Sequence, residues 1–389
     1  MIKFETVFSV KLFFFLLLMA FSCRSTTIQK EAPSSSSESL SSVNDSSASG
    51  SSSSWVSSFY TGNTNTLRDL AAAKPLLMGA AVNATVLQQT TSNADLYRQV
   101  LAREYNLVTH ENAMKMEPVQ PEQDVFDFSD VDAVLAFAQS NNMKARGHTL
   151  VWAQQIPDWF KNGSFTSNEM EQIMSNHITT VIKHCEDNYP GTVVCYDVVN
   201  EAYDMNGNLQ NPPYYDAFGS NYIHKAFAYA RAAAPANVKL FYNDFSFWDA
   251  DKRLKVATLL SNLVNDGVPI DGLGVQFHIK TWTGLDDYFA VIDAAIGLGL
   301  EVQVTECDIP LQNDQGSDTG ALETQAQKYY DLLGMCLARP EVTAFVTWGF
   351  TDKYSWVPMF MSGYDHALPF NKNYEAKPAY YALQKALSE

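Results

Sequence analysis

Eight short apolar runs, separated by stretches with helical periodicity, constrain the fold of this chain more than any other feature. They occupy residues 76–82, 106–110, 144–150, 193–199, 238–242, 272–277, 301–305 and 342–348. Continuous apolar strands alternating with helices indicate parallel strands covered on their outer side. Eight such units, roughly thirty to fifty residues apart, suit a (β/α)₈ TIM barrel better than a doubly wound sheet. Neither G-x-G-x-x-G nor G-x-x-x-x-G-K-[ST] follows any of the runs.

The helical stretches carry start signals. Ser129 is positioned to cap a helix with the stripe Val131, Val134, Leu135, Ala138, and Thr166 with Glu169 forms a capping box. That box precedes the stripe Met170, Ile173, Met174, His177, Ile178, Val181, Ile182, Cys185. Cys336 falls on a second stripe with Ala326, Tyr329, Tyr330 and Leu333. The five cysteines, 23, 185, 195, 307 and 336, have no metal-ligand spacing, and buried free thiols are expected for the last four.

The barrel reading requires functional groups at the carboxyl ends of the strands. At or just after the end of the second run stand His110, Glu111, Asn112 and Lys115; of the third, His148 and Trp152; of the fourth, Asn200 and Glu201; of the fifth, Asn243 and Asp244. Gln276 and His278 stand at the end of the sixth, Glu306 and Asp308 at that of the seventh, and Trp348 ends the eighth. Side chains two apart on a strand share a face, so Gln276 pairs with His278, Glu306 pairs with Asp308, and Cys307 points outward. Singly, each residue has an ordinary explanation as a salt-bridge partner, a packed aromatic or a solvated charge. Jointly, they collect at one end of the barrel.

Glu201 and Glu306 each end a buried β-branched run, where a carboxylate is tolerated when paired or working. Two carboxylates facing across a cleft are what glycosidic cleavage needs, one as proton donor and one as nucleophile. His278, held by Asp308, is placed to keep Glu306 ionised, and Asn200 to bind a hydroxyl or orient the acid. Trp152, Trp348 and Trp356 offer flat faces to pyranose rings, while Asn112, Lys115 and His148 supply hydroxyl-binding groups. This chemistry requires no metal and no cofactor.

At these residues the chain resembles glycoside hydrolase family 10, the endo-1,4-β-xylanases. The likeness runs in order through Thr66-Leu67-Arg68-Asp69-Leu70, Glu111-Asn112-Ala113-Met114-Lys115, Gly147-His148-Thr149-Leu150-Val151-Trp152, Asp197-Val198-Val199-Asn200-Glu201-Ala202, Gly274-Val275-Gln276-Phe277-His278, Thr305-Glu306 and Thr351-Asp352-Lys353-Tyr354-Ser355-Trp356. The resemblance implies a (β/α)₈ barrel, with Glu201 as acid/base and Glu306 as nucleophile of a retaining reaction. It implies sugar contacts at Asn112, Lys115, His148, Trp152, Asn200, Gln276, His278, Trp348 and Trp356, with Asp308 supporting His278. Xylan and xylo-oligosaccharides are the implied partners. Four positions depart from the family pattern: Met116, Ala153, Tyr196 and Phe245-Ser246. The first three read as packing changes. The last removes a hydroxyl and an amide beside the leaving-group sugars. A retaining β-1,4-glucanase or cellobiosidase on the same barrel is the near alternative, and a non-catalytic polysaccharide-binding protein the distant one.

The remaining expectations concern setting. Lys3 and Lys11, an apolar run and Ala20-Phe21-Ser22 read as a signal peptide over 1–22, hence a secreted, extracellular protein. Cleavage before Cys23 would also suit a surface lipoprotein acylated there. Residues 23–64, rich in serine, read as a flexible linker, leaving 65–389 as one catalytic domain acting as a monomer. A net charge of −17 argues against a nucleic-acid partner.

Overall fold

The computed structural model describes residues 57–389. The expected signal peptide, Cys23 and most of the serine-rich linker lie outside them. Eight strands, β1 (Leu77–Val82), β2 (Leu107–His110), β3 (Lys144–Val151), β4 (Val193–Asn200), β5 (Lys239–Asp244), β6 (Gly272–Val275), β7 (Glu301–Cys307) and β8 (Val342–Thr347), form a closed barrel. Every neighbouring pair is parallel, and β8 pairs with β1 to complete the ring. All eight apolar runs became these strands, because a strand buried on both faces needs apolar residues at nearly every position.

The covering helices follow from their stripes. Thr166 and Glu169 form both halves of the capping box that opens the helix Ser167–Asn188, and Met170, Ile173, Met174, His177, Ile178, Val181, Ile182 and Cys185 are its buried face. Truncating a fully buried member such as Met174 to alanine would cost about 2–5 kcal/mol. The helix Ser129–Ser140 starts one residue earlier than expected. Phe128 sits at the cap position and the Asp127 carboxylate accepts the Ser129 N–H at 2.9 Å. Ser129 is therefore the first helical residue and not the cap. Asp127 wins because a carboxylate two residues ahead serves the free amide and complements the helix dipole.

Packing also reaches back before the expected domain start at residue 65. Phe59 is buried, with its ring 5.6 Å from Tyr330, and the Ser58 N–H donates to Glu323 at 3.3 Å. Residues 57–64 thus lie against the barrel, anchored by an aromatic that the surrounding serines concealed. Cys185, Cys195, Cys307 and Cys336 are buried free thiols.

Two irregularities position the site. The β4–β5 register shifts between Asp197 and Val199, and the β7–β8 register shifts between Val304 and Cys307. Such bulges re-aim side chains. On β4 they let Asp197 and Asn200, three apart, both bond into the barrel interior, and on β7 they do the same for Gln303 and Glu306. Beneath the mouth, the Arg146 guanidinium donates to both Asp197 oxygens at 3.0 and 2.7 Å and to Gln303 at 2.7 Å. Arg146 and Asp197 are completely buried. A bidentate pair with each guanidinium nitrogen hydrogen-bonded is the form in which such charges are tolerated in a core.

Candidate active site

Glu201 follows β4 with a left-handed backbone, φ +51°. A non-glycine residue rarely adopts this conformation, and here neighbouring groups hold it. The Glu201 N–H donates to Asn243 O at 2.8 Å, and its carbonyl accepts from Gln210 Nε2 at 2.8 Å. The carboxylate accepts from Trp152 Nε1 at 3.0 Å and Gln276 Nε2 at 3.2 Å.

Glu306, at the end of β7, accepts from Asn243 Nδ2 at 2.8 Å and from His278 Nε2 at 3.2 Å. The other ring nitrogen of His278 donates to Asp308 at 2.9 Å, and Trp356 Nε1 donates to the same Asp308 oxygen at 2.7 Å. Asn200 Oδ1 accepts from both Asn243 Nδ2 (2.8 Å) and Gln276 Nε2 (3.2 Å). The two glutamates therefore belong to one network, running from Glu306 through Asn243, Asn200 and Gln276 to Glu201. Gly274 leaves the space this needs, since a Cβ there would come within 2.3 Å of Asn243 Oδ1.

The surroundings drive the two carboxyls apart. Burial, then the charge of Glu306, then that of Asp244 push Glu201 up to about 7, with the Gln276 and Trp152 bonds acting the other way. Burial also disfavours an ionised Glu306, but the His278 hydrogen bond, the His148 and His278 imidazoles and the Asn243 amide outweigh it and hold the group below its ordinary value. His278 resists burial in turn: Asp308 and Glu306 raise it to about 10, so it donates from both nitrogens. Glu201 therefore keeps its proton up to a pH of about 7, while Glu306 ionises below the ordinary carboxylate range.

The remaining expected residues converge on the same mouth. His148 Nδ1 donates to Asp197 at 2.9 Å, and its ring meets Trp348 edge-on at 5.2 Å. Trp348 also faces His278 at 6.2 Å, and Trp356 lies 4.9 Å from His278. Lys115 is buried, donates to Asn112 Oδ1 at 2.8 Å and stands 5.0 Å over the Trp152 ring. Burial lowers the Lys115 ammonium, while Glu306, Glu111 and Glu201 favour its charge. Gln276 and His278 both reach the site, as strand parity requires. Cys307 turns to the helix side, beside Tyr329 and Cys336.

Residues 66–386 match the model of glycosyl hydrolase family 10. The chain belongs to this family. Among family 10 relatives, endo-1,4-beta-xylanase B of Thermotoga neapolitana is 36% identical over 302 residues, spanning 76% of this chain and 85% of that protein. Xylanase 10B from Thermotoga petrophila RKU-1, solved in complex with xylobiose, superposes with a TM-score of 0.79 at 36% identity, covering 84% of this chain and 98% of that one. Exoglucanase XynX of Acetivibrio thermocellus is 36% identical over 316 residues, which are 79% of this chain and 28% of that protein.

The departures from the family 10 pattern fall where packing explains most of them. Tyr196 is fully buried beneath Gly147, where a Cβ would approach its ring to 2.2 Å, and Met116 is buried. Phe245 is half-buried with the Lys252 ammonium 3.6 Å from its ring centre. Lys252 in turn pairs with the buried Asp244 at 2.7 Å and donates to Tyr203 O at 3.1 Å. Sequence reasoning placed Asn243 and Asp244 at a strand end but gave them no role, and it passed over Arg146. Trp152 and Trp356, read as sugar platforms, also hold Glu201 and Asp308 through their indole N–H groups.

Proposed function

We propose that this chain is a retaining endo-1,4-β-xylanase. The opposite tuning of Glu201 and Glu306 within one hydrogen-bonded network carries this reading. In the first step the ionised Glu306 attacks the anomeric carbon. As the glycosidic bond breaks, Glu201 gives its proton to the departing oxygen, so the nucleophile's electron pair forms the glycosyl ester and the leaving sugar is neutral. Glu201, now a carboxylate, takes a proton from water, which attacks the same carbon from the opposite face and expels Glu306. Two inversions give net retention. Asn243 and His278 keep Glu306 ionised and aimed; Gln276 and Trp152 orient Glu201; Asn112, Lys115, His148, Asn200, Trp348 and Trp356 are the sugar-binding set.

Xylose-based chains are supported as substrate by the names of the relatives and by the xylobiose complex of the Thermotoga petrophila enzyme. The likeness to exoglucanase XynX gives β-1,4-glucan as the second reading. The two polymers differ by one hydroxymethyl group per ring, a difference worth about 1–3 kcal/mol in a pocket. Reducing-sugar release from xylan and from β-glucan decides between them, and NMR of the first product should show the β-anomer. Carboxyl groups about 5–5.5 Å apart are expected in a crystal structure, and α-product would refute retention. The sequence of the first 23 residues supports export, as a secreted monomer or a lipoprotein acylated at Cys23. Mass spectrometry of the mature amino terminus distinguishes these.

A further inference from the structure

Lys252 stands where a lysine is least expected. It lies in the first turn of the helix Ala250–Asn265, whose capping residue Asp249 accepts its N–H at 2.8 Å, and its side chain is completely buried. Burial disfavours an ammonium, and the positive end of the helix dipole disfavours it again. A buried ion pair adds little stability over apolar residues of the same size, so a charge kept in this place points to a task of position.

Three contacts converge on the ammonium. It pairs with Asp244 Oδ1 at 2.7 Å, donates to Tyr203 O at 3.1 Å and stands 3.6 Å from the centre of the Phe245 ring. Tyr203 is two residues beyond Glu201, and Asp244 is the last residue of β5, the strand paired with β4. One side chain therefore joins the backbone leaving Glu201 to the strand end beside it. Lys255, one turn further along the same helix, donates to Gly207 O at 2.7 Å and holds the tip of the connection after β4. That connection closes back on its start, where Gln210 bonds to Glu201 O and Ala202 O at 2.8 Å each. The left-handed backbone of Glu201 is thus braced from downstream.

Asp244 is also close enough for its charge to act on Glu201, whose N–H bonds to the carbonyl of the preceding residue, Asn243. Burial raises the Asp244 carboxyl, and Lys252 is the strongest influence against this, ahead of the Tyr242 hydroxyl and the Phe245 N–H. The groups facing the pair are Glu201, Tyr203 and Asp204 from the connection after β4, Tyr242 from β5 and Tyr222 from the helix Tyr222–Ala233. Glu201 itself faces Glu306 and Lys115. Burial drives the three tyrosine hydroxyls up, so they stay neutral, and Lys252 supplies the positive charge that keeps Asp244 ionised. We propose that Lys252 is a positioning residue for the acid/base, tying the backbone after Glu201 to the Asp244 carboxylate so that one ammonium sets both the aim of the acid and the charge beside it. This rests on reading Glu201 as the acid of a retaining xylanase.

The test measures the pH profile of kcat/KM on xylohexaose, and the ratio of xylohexaose to activated aryl β-xylobioside cleavage. Wild type, Lys252→Met, Asp244→Asn, their double variant and Lys255→Met are compared. Without Lys252 the buried Asp244 takes up a proton, its charge no longer acts on Glu201 and the Glu201 pKa falls. The alkaline limb should therefore move to lower pH by about half to one unit. Asp244→Asn and the double variant remove the same negative charge and should move the limb the same way. The double variant leaves no unpaired buried charge, so it gives the answer where Lys252→Met fails to fold. The ratio should fall about three- to tenfold in Lys252→Met, because a misaimed acid matters for a sugar leaving group and hardly for an activated phenol. Lys255→Met, which loosens the same connection without touching Asp244, should leave the limb in place. A limb unmoved or displaced upward in the variants lacking Lys252, an equal loss on both substrates, or an equal shift in Lys255→Met would each overturn the role of Lys252. A Glu201→Ala variant that loses both cleavages equally would instead overturn the assignment of the acid. A wild type that cleaves cellohexaose and ignores xylohexaose would overturn the xylan reading, and the same measurements on cello-oligosaccharides would then decide Lys252 separately.

Discussion

Glu201 and Glu306 are the same residue type at the ends of two barrel strands, both buried and both in one network, yet their surroundings push them in opposite directions. Around Glu201 the neighbouring charges are acidic, Glu306 and Asp244, and its donors are neutral. Around Glu306 stands an imidazolium locked by Asp308, which is itself fixed by Trp356. Burial alone would raise both. A cation in hydrogen-bonding range reverses the sign at one site and not at the other, so role follows from what faces the carboxyl and not from where it sits on its strand.

The harshest way to probe this contrast is to remove each carboxylate. Glu306→Gln should reduce turnover on every substrate by on the order of 10⁴-fold or more, because no other group can form the glycosyl ester. Steady-state kinetics on xylan and on an aryl xylobioside check this. Glu201→Ala should lower kcat on xylan by about 10²–10⁴-fold while largely sparing the first step on an activated aryl xylobioside, whose phenol departs without a proton. Equal losses on both substrates in both variants would reverse or dissolve the contrast.

A milder cut removes the cation. His278→Ala deletes a donor and a positive charge beside Glu306, so the Glu306 pKa must rise. The acid limb of kcat/KM, set by ionisation of the nucleophile, should therefore move to higher pH by about 1–2 units. The alkaline limb, near 7 where Glu201 loses its proton, should stay closer to its place. An unmoved acid limb would mean that His278 does not tune the nucleophile. The smallest expected effect is at Trp152. Trp152→Phe keeps an aromatic face but removes a donor to the ionised acid, so the Glu201 pKa should rise and the alkaline limb move up by roughly half a pH unit. A downward movement would show that the indole N–H does not stabilise the charged acid.

The barrel was legible because its signal is local and repeated: eight runs, each apolar at nearly every position, can be buried on both faces in few ways. The polar strand ends were legible for the same reason, and Gln276, His278, Glu306 and Asp308 met as strand parity required. Parity gave no notice of the bulges, since an extra residue in a strand leaves no mark on apolar periodicity. Arg146 stayed invisible because its partners, Asp197 and Gln303, are remote in sequence and meet only across the closed ring. The Ser129 cap failed by one residue, because the Asp127 carboxylate accepts the Ser129 N–H and so draws Ser129 into the first turn.

By itself, then, the sequence determined the strand count, the end of the barrel that carries the chemistry and the pair of glutamates, all of which depend on residue type at short spacing. Only the tertiary structure decided how strongly burial and neighbouring charge drive the two carboxyls apart, that Asn243 joins Glu306 to Asn200, and that Arg146 meets Asp197 and Gln303 beneath them. Those outcomes depend on charges, donors and faces brought together from different strands, and such distances are fixed only when the barrel closes.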